Sequence, residues 1–256
     1  MWSAVSRSAF ASAAALALCL PATASGSDAR AIRVALRSEP FFTEVLTPSR
    51  PAEGVVITLH RGAWSATGRD AAATEHADDH AWLRRHWLVV NSSYRPGVLG
   101  LADVRSVYVR VRRAIQRALP ICMVGASSGG NLALLAATRL PDLRCLVAEA
   151  APTDLTAAGG IHDLAVEALG EQNLSAFSPL FTADRIKAEV LVAGAEQDSL
   201  VPPQQLSDLC MRLARCAGSL SLAEGPLWFV HAGVDHAGLS TFRRAETALA
   251  RSVSTR

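Results

Sequence analysis

The chain predicts an α/β fold, a doubly wound and mostly parallel sheet, and three observations predict it. Short apolar runs alternate with amphipathic, helix-length segments over most of the 256 residues, the signature of strand–helix–strand units. The runs are near-continuous rather than alternating, as strands buried on both faces require. A turn of small residues, Gly125-Ala126-Ser127-Ser128-Gly129-Gly130, joins one such run directly to a helix-like segment.

The elements follow in order. Ser25 to Arg30 reads as a lead-in, and Ile32 to Leu36 with Phe41 to Leu46 as an antiparallel start around Glu39-Pro40. Val55 to Leu59 and Trp87 to Val90 read as strands. Leu101 to Leu119 is helical, with Leu101, Val104, Tyr108, Val111 and Ile115 on one stripe. Ile121 to Val124 is a strand, Gly130 to Arg139 a helix and Cys145 to Ala148 a strand. Val190 to Ala193, Pro203 to Ala214, Leu227 to Val230 and Gly238 to Val253 read as strand, helix, strand and helix. Residues 151–187 are too long for an ordinary crossover and hold Gly159-Gly160, a short helix over Asp163 to Leu169, and Phe177-Ser178-Pro179. Long excursions beyond the carboxyl ends of strands usually cover a site, so this one reads as a lid-like insertion.

Half of the residues are hydrophobic and 19% are charged, which suits one sizeable core. The formal net charge of +2, with no basic block, argues against nucleic acid as a partner. Residues 1–24 read as a secretory signal peptide. Arg7 supplies the positive region, Ala9 to Leu20 the apolar stretch, and Ala22-Thr23-Ala24 the small-residue cleavage site after Pro21. The apolar stretch is shorter than the ~20 residues a bilayer takes. The expectation is a secreted or periplasmic protein, with one domain over residues 25–256 and no stable membrane span after cleavage. Retention of the segment as an anchor is the alternative.

Without the leader, Cys122, Cys145, Cys210 and Cys216 remain, an even number that permits two disulfides. Cys122 and Cys145 lie in apolar strands and read as core thiols. A Cys210–Cys216 bridge needs the last helical turn to unwind. The pairing stays open. His76 and His80 have i, i+4 spacing, but no third ligand is near. The segment reads as solvated and polar, and no metal is expected.

The chemistry centres on Ser127. A strand–turn–helix lifts the side chain at its tip out of the sheet, and Gly125 and Gly129 leave room where the helix passes the strand end. A serine nucleophile needs a histidine base and an acid to orient it, in the chain order Ser, Asp or Glu, His for this fold. Asp198 lies in the loop after the Val190–Ala193 strand and is preferred to Glu196, which follows that strand too closely, and to Asp154. His236, in a glycine-flanked loop after the last strand, is preferred to His231 at that strand's end, to His76, His80 and His86 upstream of Ser127, and to His162 in the insertion. The oxyanion donors are the amide of Ser128, directly after the nucleophile, and those of Gly62 and Ala63 after the Val55–Leu59 strand.

His60-Arg61-Gly62-Ala63-Trp64 resembles the His-Gly-Gly-x-Trp oxyanion motif of α/β-hydrolases of the esterase, lipase and kynurenine-formamidase-like group. Gly125 to Ala133 is similar to the nucleophile elbow of hormone-sensitive-lipase-like esterases. Ser92-Ser93-Tyr94-Arg95-Pro96 and Leu101-Ala102-Asp103-Val104-Arg105 resemble the same group. The resemblance implies an α/β-hydrolase fold, a Ser127–His236–Asp198 triad, no cofactor, and a carboxylesterase acting on small-molecule esters. Two departures stand out: Arg61 replaces the first glycine of the motif, and Ser128 the commoner alanine. A serine peptidase of the prolyl-oligopeptidase-like group shares the fold and triad, but usually adds an N-terminal propeller for which this chain has no room. An inactive hydrolase-fold binding protein is the reading from another class.

Overall fold

The computed structural model describes residues 24–115, 118–195, 197–213 and 228–231. The leader (residues 1–23), Glu196, Cys216, His236 and the expected closing helix over Gly238 to Val253 lie outside the described residues.

Strands β1 (Thr43–Leu46), β2 (Gly54–Leu59), β3 (Trp87–Ser92), β4 (Ile121–Ala126), β5 (Cys145–Glu149), β6 (Glu189–Ala195) and β7 (Trp228–His231) form one sheet in the order β1-β3-β2-β4-β5-β6-β7. All neighbours are parallel except β1, which runs antiparallel to β3 at the edge. Every residue of β2, β3, β4 and β5 is buried, so their unbroken apolar character follows from helices on both faces. This is the doubly wound sheet that the alternation of runs predicts.

Helices α1 (Ala24–Leu36), α4 (Leu99–Ala114) and α5 (Ser128–Ala137) cover one face, where Ile32, Val104, Val107 and Leu132 meet Val55, Ile57 and Met123. On the other face Trp82, in α3 (His76–Leu83), packs with Val56, Trp87, Val89, Cys122 and Val147. Helix α2 (Gly68–Ala73) precedes α3. Among the described residues no helix is long and apolar enough to cross a membrane.

Three expectations are corrected. Ile32 to Leu36 is the end of α1 rather than a strand, and Ser25 to Arg30 is helical rather than a lead-in. Ala29, Ile32 and Leu36 recur at helical spacing and are all buried, so packing on α4 decides the conformation. The segment around His76 and His80 is helical, and its Asp79 is buried. Thr58 donates to Asp79 Oδ1 at 2.7 Å and Asn91 to Oδ2 at 2.5 Å, which ties α3 to β2 and β3. Cys122 and Cys145 are not free thiols: β4 and β5 pair in the register Cys122↔Cys145, the Cα atoms are 4.6 Å apart, and a disulfide joins them. Cys210 is also disulfide-bonded. Its helix α7 (Pro203–Arg212) ends two residues later in the extended Leu213.

The excursion at 151–187 contains helix α6 (His162–Leu169) and 3-10 turns at Glu171–Asn173 and Pro179–Arg185. It is fastened down. Leu155, Ile161, Ala165, Leu180 and Ile186 belong to the main core. The Gln205 side chain accepts from the amides of Thr153 and Asp154, and Ile161 donates to the Leu200 carbonyl.

Candidate active site

The sheet order places the site. From β2 the chain goes to β3 on one side, then crosses back so that β4 lies on the other side of β2. The carboxyl ends of β2 and β4 therefore flank the point where strand order reverses, where open α/β sheets bind ligands. The loop after β2 carries Gly62 and Ala63, and the turn after β4 carries Ser127 and Ser128.

Ser127 has φ 50° and ψ −120°, a backbone conformation that L-residues avoid and that costs on the order of 1–3 kcal/mol. The surroundings impose it. The Ser127 amide donates to the Glu149 carbonyl at the end of β5, and its carbonyl accepts from Asn131 in the first turn of α5. A Cβ at Gly125 would meet the backbone of Gly129 at 2.5 Å, and one at Gly129 would meet the Leu59 carbonyl oxygen at 2.5 Å. The two glycines thus bring α5 against both its own strand and β2. That contact sets the elbow beside the loop after β2.

Ser128 is the first residue of α5, where a helix leaves amides without intrahelical acceptors. In the loop after β2, Gly62, Ala63 and Trp64 all have positive φ. The carbonyls of this loop are held away from the site. His60 is fully buried, and its Nδ1 lies 2.7 Å from the Arg61 carbonyl oxygen. A carbonyl only accepts, so Nδ1 bears the proton, and Nε2 accepts from Ser93 Oγ at 3.2 Å. The Gly62 carbonyl accepts from the amides of Ser65 and Ala66 and from Ser65 Oγ. In a planar trans peptide the C=O and N–H point in opposite directions. Holding the Arg61 and Gly62 carbonyls therefore aims the Gly62 and Ala63 amides the other way. Among the described residues neither amide has an acceptor.

Burial lowers the pKa of His60, against a smaller upward effect of its bond to Arg61. The ring stays neutral and keeps that tautomer. It stacks on Tyr94, centroid to centroid 4.2 Å. Arg61 turns toward α3, its Nε 3.7 Å from the buried Glu75 carboxylate, which offsets the charge it adds beside the site.

Asp198 lies in the loop after β6 and is buried. Its Oδ1 accepts from the amides of Leu200 at 2.9 Å and Val201 at 2.8 Å, bonds that fix its direction. Strand β7 pairs with β6 through Ala195↔His231, so the carboxyl ends of these two strands are neighbours, and the expected base His236 lies outside the described residues. Asp154 accepts from Thr156 within its own turn, and His162 contacts Asp163 at the surface. Among the described residues no group of three potential ligands could hold a metal.

Asn131 is a residue that spacing alone does not single out. Fully buried, it accepts from Trp64 Nε1 at 3.2 Å and donates to the carbonyls of Pro152 and Phe177, each at 2.9 Å. One side chain thus joins the elbow helix, the loop after β2 and the excursion. Its place in the elbow run Gly129-Gly130-Asn131 is the available signal.

A strained serine on a strand–turn–helix at the reversal point of a mostly parallel sheet defines the α/β-hydrolase fold. Within it, residues 110–250 match the prolyl oligopeptidase family, and the chain belongs to that family. No curated protein matches the sequence. Solved structures share the fold. A bifunctional GH43-CE protein of Bacteroides eggerthii superposes with TM-score 0.66 at 20% identity, over 82% of this chain but only 36% of its own length. A truncated carbohydrate esterase from gut microbiota gives 0.68 at 15% identity, over 84% and 91% of the two chains. Thermogutta terrifontis esterase 2 with propionate bound gives 0.64 at 16%, over 83% and 89%.

Proposed function

We propose that this chain is an exported serine hydrolase that cleaves small or medium carboxylic esters through an acyl-enzyme. The observation that carries this reading is the conformation of Ser127, φ 50° and ψ −120°, facing a loop whose donor amides are aimed by their own peptide planes. In this reading His236 takes the proton of Ser127 as the hydroxyl attacks the ester carbonyl. The amides of Ser128, Gly62 and Ala63 receive the oxyanion. The alcohol leaves with the proton from His236, and water then releases the acid by the same steps. Asp198 orients His236 and stabilises its charged form. The reading needs no cofactor. The leader-like residues 1–24 and the disulfide between Cys122 and Cys145 support export, since such bonds persist in oxidising compartments.

Family membership favours a second reading, cleavage of peptide amides. Both are tested with p-nitrophenyl acetate, butyrate and decanoate beside proline-containing amides, using wild type and Ser127→Ala. Ester hydrolysis lost in the variant by several orders of magnitude supports the esterase. Turnover of amides alone favours the peptidase. Turnover of neither, with no fluorophosphonate labelling of Ser127, removes the hydrolase reading.

A further inference from the structure

Ser128 departs from the commoner alanine after the nucleophile, and the structure gives its hydroxyl a partner. Tyr94 Oη lies 2.8 Å from the His60 carbonyl oxygen and 3.1 Å from Ser128 Oγ. The phenol has one proton and the carbonyl can only accept, so Tyr94 donates to His60. Ser128 must then donate to the Tyr94 oxygen. The result is a directed chain, Ser128 O–H to Tyr94 O–H to the His60 carbonyl. Its ends lie on the two separate segments that supply the oxyanion amides, α5 and the loop after β2.

The chain is built to stay fixed. Tyr94 is 1% exposed and Ser128 is fully buried, and burial pushes the phenol further above its usual range, so it keeps its proton. The ring face of Tyr94 stacks on His60, which positions the Arg61 carbonyl through Nδ1. Just past Tyr94, Arg95 closes on Asp103 through its backbone amide and its guanidinium, which anchors the Tyr94 backbone to α4.

We infer that Tyr94 and Ser128 form a latch that sets the spacing between the Ser128 amide and the amides of Gly62 and Ala63, and so act as paired positioning residues for the oxyanion. The inference rests on the serine-hydrolase reading. Neither hydroxyl touches substrate. Their effect belongs to the transition state, because only the oxyanion needs all the donors at once.

Tyr94→Phe keeps the stacked ring and loses the bridge. Ser128→Ala keeps the amide and loses the donor. In each, kcat for p-nitrophenyl butyrate is expected to fall roughly tenfold, part of the loss on removing a whole donor, with KM unchanged. Affinity for a trifluoromethyl ketone, which forms the tetrahedral adduct, should fall in parallel. The double variant should lose no more than either single one, since both break one chain. Full turnover in both single variants, or losses that multiply in the double, overturns the latch. So does a rise in KM with kcat retained. Fluorophosphonate labelling of wild-type Ser127 is scored alongside: its absence overturns the hydrolase reading and the latch with it, whereas labelling with unaffected variants overturns the latch alone.

Discussion

Ser127 holds a backbone conformation that its own side chain opposes, and glycine at that position would relieve it. Ser127→Gly is expected to be inactive yet more stable by about 1 kcal/mol in urea unfolding. Lower stability would show that the turn is not strained. Gly125→Ala runs the other way. Its Cβ has only backbone to press against, at 2.5 Å, and stability should drop by at least about 3 kcal/mol. His60 makes a pH-dependent contribution. Burial lowers its folded pKa, while the unfolded chain keeps the ordinary value near about 6.5. The unfolded state therefore binds more protons as pH falls below about 6.5, and the stability present above that value is lost on acidification. The Tm should decline between about pH 7 and pH 5, and His60→Gln should have a lower Tm at neutral pH with a flatter acid slope. An unchanged slope would assign the decline to other groups.

At the scale of elements, the site is a set of loops locked by side chains from neighbouring segments. Asp198 shows how two roles in one loop separate. In Asp198→Asn the Oδ1 still accepts from Leu200 and Val201, so stability should stay within about 1 kcal/mol, while on the proposed triad turnover falls by on the order of 10⁴ as the charge that would orient His236 is lost. Asp198→Ala should show the same rate and a further stability loss of about 1–2 kcal/mol. Retained turnover in the asparagine variant would remove Asp198 from the triad. The strands of this site were legible because burial on both faces leaves apolar runs, and the elbow because its glycines are sequential. Helix α1 was misread because Ile32 and Leu36 suit the end of a helix as well as a short strand. Helix α3 was hidden by polar composition, since what buries Asp79 is Thr58 and Asn91 on distant strands. The latch of Tyr94 on Ser128 joins segments 34 residues apart, and no local pattern records it.

For the whole molecule, topology explains why the strand–turn–helix elbow and the loop after β2 are legible in the sequence and the cysteine pairing is not. Any doubly wound sheet of this chain order brings the ends of β2 and β4 together, so the nearness of the segments that carry Gly62, Ala63, Ser127 and Ser128 follows from position. Pairing Cys122 with Cys145 requires the residue-level register of β4 on β5, which apolar runs do not encode. The bond closes a segment of 23 residues, and the entropy it removes from the unfolded chain corresponds to about 3 kcal/mol. Cys122→Ala/Cys145→Val, which returns most of the lost volume, should therefore be less stable by that amount and unfold at lower urea concentration, with a steeper dependence because its unfolded chain is less restrained. Both cysteines are fully buried, so dithiothreitol should reduce the native bond no faster than the protein opens. A variant as stable as wild type would mean that strand pairing alone holds the register of the central sheet, and rapid reduction of the folded protein would mean that β4 and β5 separate locally without global unfolding.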